Sequence, residues 1–392
     1  MITQRTVIKM KNFSKILCVV LALVIALSAA ACSFTQEYAY DKDDIQFPIG
    51  VYIYYLNSAY NKAQSYAQES DLYDAETGKY DGSKSFLKME ITDEDGNTAV
   101  AEDWIIDKAK KDLKVAVATN VKFNELGCTI DQTELDQAKT YYKSYWDQGY
   151  SEQFEPYGIS FDSFFMAGYT ISVMETEAFK AEYGIDGPSA VSDEELEKYF
   201  KDNYVSYKYF SANLYKSETE SAGEDGETVD NSVDTALSED EIAAYQKDFD
   251  SYASSIASGS SFDDVISEYM SAYGVEEDPR TENVETISDE ETDEIKKTIK
   301  DMKDGQAMTV VIGDDENTKQ IYLAYREPIE KQLEAYTAAE SDKREEVISS
   351  MKHEEFDKLL ENLAEELGIE PSPACDNYKP SMFENNKKTN KA

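Results

Sequence analysis

Residues 205–214, VSYKYFSANL, carry apolar or aromatic side chains in both phases of a strand. Val205, Tyr207 and Tyr209 alternate, and Phe210, Ala212 and Leu214 alternate in the opposite phase. Successive strand side chains point to opposite faces. The stretch is therefore either buried on both faces or interrupted by a bulge. It cannot lie on a sheet with one wet face, so covering elements must come from its neighbours in the chain.

Those neighbours read as helices. Ser192 with Glu195 three residues later forms a capping-box pattern that opens a helix of roughly ten residues. Residues 217–238 are Ser, Glu, Asp, Gly and Thr with little apolar content, an acidic loop insert. A helix is expected near 239–258. Another covers SGSSFDDVISEYM, with Phe262, Val265, Ile266, Tyr269 and Met270 on one face, and a third lies near 288–302. Strands at 309–312 and 320–325 flank a turn at Gly313, so the order is β, α, α, α, β, β.

The rest of the chain is helical in pattern. Ile49 to about Ser70 is one helix, and 71–100, rich in Gly and Asp, is a hairpin or irregular excursion. Trp104, Ile105, Ala109, Leu113, Ala116, Val117 and Val121 recur at helical spacing to Leu126, and Gly127 suits a C-terminal cap. Asp131 opens the next helix, with Leu135, Ala138, Tyr142, Tyr145 and Trp146 as its stripe, and another runs from Phe161 to Tyr183 before Gly184 and the stop at Gly187-Pro188. From Pro328 to Leu367 no Pro or Gly interrupts a helical pattern, as one helix or two with a break near Ser341. The fold class is α+β, mostly α. A helical domain is built from 47–190 and 328–368, with a small sheet module inserted at 191–327 and a disordered tail at 369–392.

The N-terminus addresses the compartment. Arg5, Lys9, Lys11 and Lys15 precede the apolar run ILCVVLALVIALSAAA at 16–31, which ends on small residues before Cys32. This is the layout of a secretory signal, and the run is short for a bilayer span of about 20 residues. Ala29-Ala30-Ala31-Cys32 resembles the lipobox of bacterial lipoproteins, with Ala29 where a leucine is usual. The resemblance implies cleavage of 1–31, acylation of Cys32 and a tether at 32–46. An ordinary signal peptide or an uncleaved anchor is the alternative. The chain from Cys32 on carries 34 basic and 80 acidic residues, a formal charge of −46. Such a chain repels phosphate backbones, which excludes nucleic acid as a partner. It stays soluble, and it could attract basic unfolded polypeptide.

Cys128 and Cys375 are then the remaining thiols, too few for a disulfide scaffold. No zinc spacing occurs. Asp93–Asn97 and Gly313–Asn317 lack the full calcium-loop ligand pattern and read as hairpin turns. No metal or cofactor is expected.

Taken together, these segments resemble the extracytoplasmic PrsA and SurA foldases. VSDEELEKYF is similar to the helix leading into the parvulin module, and NYVSYKYFSANLY to its first strand. SGSSFDDVISEYM is similar to a helix start, and KDGQAMTVVIGDDENTKQIYLAYRE to the closing hairpin. The resemblance implies a SurA-type chaperone domain with an inserted prolyl isomerase module, on the outer face of the bacterial cell membrane. The partners it implies are unfolded or emerging secreted proteins and, through Cys32, the membrane; a homodimer stays open.

The chemistry of that module is not kept. Lys208-Tyr209-Phe210 stands where the family has His-Ile-Leu, and Ile321 and Tyr322 occupy the region of the second histidine. GVEEDPRTENVE replaces a glycine-rich loop, and His353, on the C-terminal helix, is the one histidine of the chain. No catalytic residue is assigned, and hydrolase and phosphate-loop motifs are absent. Binding has a better candidate. Aromatic residues crowd at 141–169 beyond what one packing face needs. Trp146, Phe161 and Phe165 are expected in the core. Tyr141, Tyr150 and Tyr157 stand between core and a surface for unfolded polypeptide.

Overall fold

The computed structural model describes residues 37–384 apart from 43, 69–72, 75–78, 81–84, 221–230 and 316. The expected signal segment 1–31, Cys32 and the last eight residues lie outside the described residues. The fold is α+β and mostly α. The chain divides into two compact units, one of residues up to Ala190 together with Lys352 onward, the other Val191–Met351.

The first unit opens with a hairpin, β1 (Tyr38–Lys42) against β2 (Ile45–Pro48), where a tether was expected. Tyr40 and Phe47 are buried in it, which is why the segment is fixed. Helix α1 (Ile49–Gln68) follows, then hairpins β3 (Tyr73–Asp74) with β4 (Lys79–Tyr80) and β5 (Glu90–Thr92) with β6 (Thr98–Val100). Helix α2 (Ala101–Glu125) buries Ile105, Ala109, Leu113, Ala116 and Val117 in one core with Val51, Leu56, Ala59 and Ala63 of α1. Alanine on both partners lets two helices approach closely. A side chain at Gly50 would also meet Ser163 Oγ at 2.5 Å, so the start of α1 must be bare there.

Helix α3 (Gln132–Tyr145) is capped by Asp131, whose carboxylate accepts from the amides of Thr133 and Glu134. The chain continues through a π-helical turn (Trp146–Tyr150), α4 (Ser151–Phe154) and α5 (Phe161–Phe165). A second π turn (Met166–Thr170) leads into α6 (Ile171–Tyr183). The single helix read over 161–183 is thus interrupted once. Glu182 at the end of α6 is buried, with Lys122 Nζ 2.7 Å away and Ser189 Oγ donating at 2.6 Å.

The second unit begins with α7 (Asp193–Asn203), where the Ser192–Glu195 capping box forms. Strand β7 (Tyr204–Asn213) is central in a four-stranded antiparallel sheet. The acidic insert contains two strands, β8 (Tyr215–Glu220) paired with β9 (Asn231–Ala236), so it is a hairpin rather than a loop. Helices α8 (Glu239–Ala257) and α9 (Phe262–Tyr273) both start on capping boxes, Ser238 with Glu241 and Ser261 with Asp264. Strand β10 (Thr281–Thr286), α10 (Glu294–Asp301), β11 (Ala307–Ile312) and β12 (Gln320–Glu327) complete the sheet, in the order β10-β7-β12-β11. The polar, mostly exposed β10 is absent from the order read in the sequence. Its pairing with β7 comes from backbone bonds that composition does not announce.

The β7–β12 register runs unbroken from Ser206↔Glu327 to Asn213↔Gln320, so the two-phase pattern is burial on both faces and not a bulge. Phe210, Ala212 and Leu214 pack with α8 and α9; Val205 and Tyr207 pack with Ile295, Ile299 and Met302 around α10.

After β12, a 3-10 turn (Ile329–Gln332), α11 (Leu333–Thr337) and α12 (Arg344–Glu366) follow. The helical pattern breaks at 338–343, around Ser341. Residues 328–351 lie in the second unit, which corrects their expected place in the helical domain. There Arg344 is buried. Its guanidinium donates to the Thr337 and Val191 carbonyls and pairs with Asp193 at 2.9 Å.

The rest of α12 returns to the first unit, Phe356 packing on Phe179 and Tyr183. Residues 369–384 do not form a disordered tail. Two 3-10 turns (Pro373–Asn377 and Pro380–Phe383) bury Ile369, Cys375 and Phe383 in the core of α1 and α2. Three anchors at wide spacing in a polar segment are enough once Ser372 N bonds Ala39 O at 2.7 Å. Among the described residues no helix is long and apolar enough to cross a membrane.

Phe210 is fully buried against Phe249, Tyr269 and Phe262. Phe210→Ala should cost about 3–5 kcal/mol in urea unfolding, whereas Tyr141→Ala should stay within about 0.5 kcal/mol.

Candidate functional site

Helix α3 buries none of its residues fully, which is unusual for a helix inside a packed unit. Its aromatic residues fall at 141, 142, 145 and 146, one step of the helical repeat apart. The inner pair packs. Tyr142 lies 5.5 Å from Phe165 and 5.3 Å from Tyr169, and Trp146 lies 5.3 Å from Phe164 and stacks parallel on Phe154. Trp146 and Phe165 are buried, and Phe161 is half-buried beneath Lys139 and Lys143.

The outer residues do not pack inward. Tyr141 is 60% exposed, Tyr145 42% and Tyr150 43%. They touch one another: the Tyr141 and Tyr145 hydroxyls share a 2.6 Å hydrogen bond with rings 4.8 Å apart, and Tyr145 stacks on Tyr150 at 6.3 Å. That bond raises the Tyr145 phenol's pKa. Gly149, at φ 149° in the first π turn, sets the bend between Tyr145 and Tyr150. Tyr150 continues the ladder inward to Phe154 at 5.9 Å and Phe164 at 5.7 Å.

Two of the three tyrosines singled out in the sequence, Tyr141 and Tyr150, therefore share one exposed face. Tyr157 does not join them; it is half-buried with its ring 4.8 Å from Phe383, covering the C-terminal turn. Tyr145 was missed as a surface residue because it lies on the apparent core stripe of α3. The signal for it was the stripe's excess width, five aromatic or apolar positions where a helix of this length needs fewer.

On the sheet of the second unit the four positions compared with a parvulin module separate. Phe210 and Ile321 are fully buried on the face covered by α8 and α9. Tyr209 and Tyr322 lie on the other face, rings 5.9 Å apart, and Tyr207 stacks on Tyr209 at 6.1 Å. The Tyr207 hydroxyl donates to Glu285 at 2.5 Å, and Glu285 pairs with Lys296 at 2.7 Å. Burial, then the Glu285 carboxylate, raise the Tyr207 phenol's pKa well above its ordinary value, so it keeps its proton. Lys208 pairs with Glu282 at 3.5 Å. His353 is exposed on α12, 3.8 Å from Asp357.

Other candidates have local explanations. Asp93 spends its carboxylate on the amides of Asp95 and Asn97 and on the Trp104 indole, and Asp315 accepts from Asn317 N, so both acidic runs are turns. Among the described residues no group of three or more His, Cys, Asp or Glu side chains is placed to hold a metal. An open depression of about 460 Å3 is lined by Lys122, Glu125, Glu355, Lys358, Leu359 and Asn362; it is wide and charged rather than enclosed.

Among solved structures the chain is similar to the foldase protein PrsA from Streptococcus pneumoniae str. Canada MDR_19A. The identity is 14% and the TM-score 0.34, over 74% of this chain and 97% of that one. It is also similar to PrsA from Bacillus subtilis, at 11% identity and a TM-score of 0.27, over 71% and 93%. No family model and no curated protein matches it.

Cys128 and Cys375 are both free thiols. Burial pushes the Cys375 thiol up to about 11, so little thiolate exists at pH 8. Thiol labelling with peptide mapping should modify Cys128 in the native protein and Cys375 only after unfolding. Equal native labelling would mean the C-terminal turns are not docked.

Proposed function

We propose that the chain is a foldase or holdase outside the cytoplasmic membrane, anchored through a lipid on Cys32, that holds unfolded secreted polypeptide. The observation that carries this reading is the exposed ladder of Tyr141, Tyr145 and Tyr150, on a helix with no fully buried residue and the π turn that follows it. A monomeric surface seldom exposes contiguous large aromatic side chains without a partner. Tyrosine suits an unspecific polypeptide client because it offers wide contact area with a polar edge. The motif order along the chain and the lipobox-like Ala29–Cys32 support the compartment.

The sheet of the second unit is read as a degenerate parvulin-like module. Prolyl isomerisation faces a barrier of roughly 18–20 kcal/mol and is lowered by a shaped pocket. Here Tyr207 stacks on Tyr209, Tyr322 packs against Tyr209 at a tilt, and the Tyr207 hydroxyl is already engaged by Glu285. A proline substrate would have to displace these groups, so the module contributes little or no isomerisation.

At stoichiometric concentration the protein should suppress light scattering by an aggregating client. Tyr141→Ala with Tyr150→Ala should weaken that suppression severalfold while leaving the far-UV circular dichroism unchanged. Absence of suppression by the unmutated chain would overturn the reading. In a proline-peptide assay the isomerisation rate should equal the spontaneous one; clear acceleration would favour a divergent but active isomerase instead.

A further inference from the structure

We infer that the tyrosine face of Tyr141, Tyr145 and Tyr150 selects cationic stretches of extended polypeptide, those with Lys or Arg beside apolar residues. This rests on the holdase reading and names the client chemistry of the same surface. Segment 131–162 carries seven carboxylates against two lysines. Both lysines are already engaged. Lys139 pairs with Asp162 at 3.0 Å and Lys143 with Asp147, and both stand over the Phe161 ring, at 5.9 and 5.5 Å.

Of the five carboxylates that remain, Asp131 caps α3 and Asp136 accepts from the Gln132 amide, which leaves three. Glu134, Glu152 and Glu155 are exposed and have no cationic partner among the described residues. Glu134 sits two turns before Tyr141 on the same side of α3. Glu152 and Glu155 are exposed on the short helical segment that follows Tyr150. An aromatic face with Glu134 at its rim and two more unpaired acids in the next turns suits a cation twice over: the ring face attracts it through the quadrupole and the acids through charge. The Lys139 and Lys143 ammonium groups over Phe161 are the same contact made within the chain. Beside the charge subsite, Tyr150 leads onto Phe154 and Phe164, which offers apolar neighbours in the client a place to rest. An acidic segment would meet repulsion at the same rim.

The test uses the full-length chain and three fluorescent, unstructured peptides of identical apolar sequence, with Lys/Arg, Ser or Asp at the variable positions. Anisotropy should give about tenfold tighter binding for the Lys/Arg peptide than for the Asp peptide. The difference should shrink as salt rises from about 0.03 to 0.3 M, where screening shortens the reach of charge. The triple substitution Glu134→Gln, Glu152→Gln, Glu155→Gln should weaken the Lys/Arg peptide severalfold and leave the Ser peptide unchanged. Tyr141→Ala with Tyr150→Ala should weaken both. Equal affinity for the Lys/Arg and Ser peptides, or a triple variant that binds the Lys/Arg peptide as before, would overturn the inference. If aggregation is still suppressed in that case, the holdase reading survives it. If no peptide binds and no aggregation is suppressed, both fall.

Discussion

The first unit is incomplete until the chain returns to it. Its hairpin β1–β2 and helices α1 and α2 present a core that residues 352–384 close. Ser372 bonds Ala39, Tyr378 donates to Glu37 at 3.1 Å, and Phe383 fits between Tyr60 and Tyr157. Three lysines of α2 also meet this segment: Lys110 with Asp376, Lys111 with Glu361 and Lys114 with Glu370, each at 2.8 Å. These pairs are partly exposed and worth little singly; the buried aromatic contacts carry the closure. Contacts between residues more than 300 apart are entropically tolerable because closure cost grows only with the logarithm of loop length. A second unit with its own core, leaving and re-entering at Ala190 and Lys352, makes the effective loop shorter still.

That second unit is organised by β7. A central strand buried on both faces demands helices on each side, and α8 and α9 supply one cover while α10 supplies the other. The same demand shapes its chemistry. On the α10 face the side chains that stand near one another are phenols, not imidazoles. Tyr207 is locked to Glu285, itself held by Lys296. A phenol whose pKa is raised by burial and by a neighbouring carboxylate is a poor proton acceptor at neutral pH. The Tyr207 hydroxyl is thus engaged in holding β7 to β10.

Much of this was legible in the sequence, for local reasons. The capping box at Ser192, the helical stripes of α2 and α9, and the two-phase pattern of β7 are short-range signals. What escaped was decided at long range. Residues 369–384 have the composition of a loose tail, and only their meeting with Ala39 and Tyr60 orders them. Arg344 sits among acidic neighbours in the sequence and reads as a surface charge; it is buried because the Thr337 and Val191 carbonyls and Asp193 converge on it. Strand β10 has too polar a sequence to read as a strand. The π turn that follows Tyr145 adds one residue to a helical turn, which shifts the side chains after it around the axis and sets Tyr150 beside Tyr145 on the exposed face.

The consequence of that shift is a surface built from ordered aromatic rings. Tyr141, Tyr145 and Tyr150 are exposed, yet each is held by its neighbour, and the last packs edge-on against Phe154 and Phe164 beneath. A side chain already confined to one arrangement loses little further freedom when a partner covers it. A client that stays unfolded pays its own ordering cost only where it touches. Weak, broad contact on a fixed platform is therefore affordable in a way that it would not be on flexible loops.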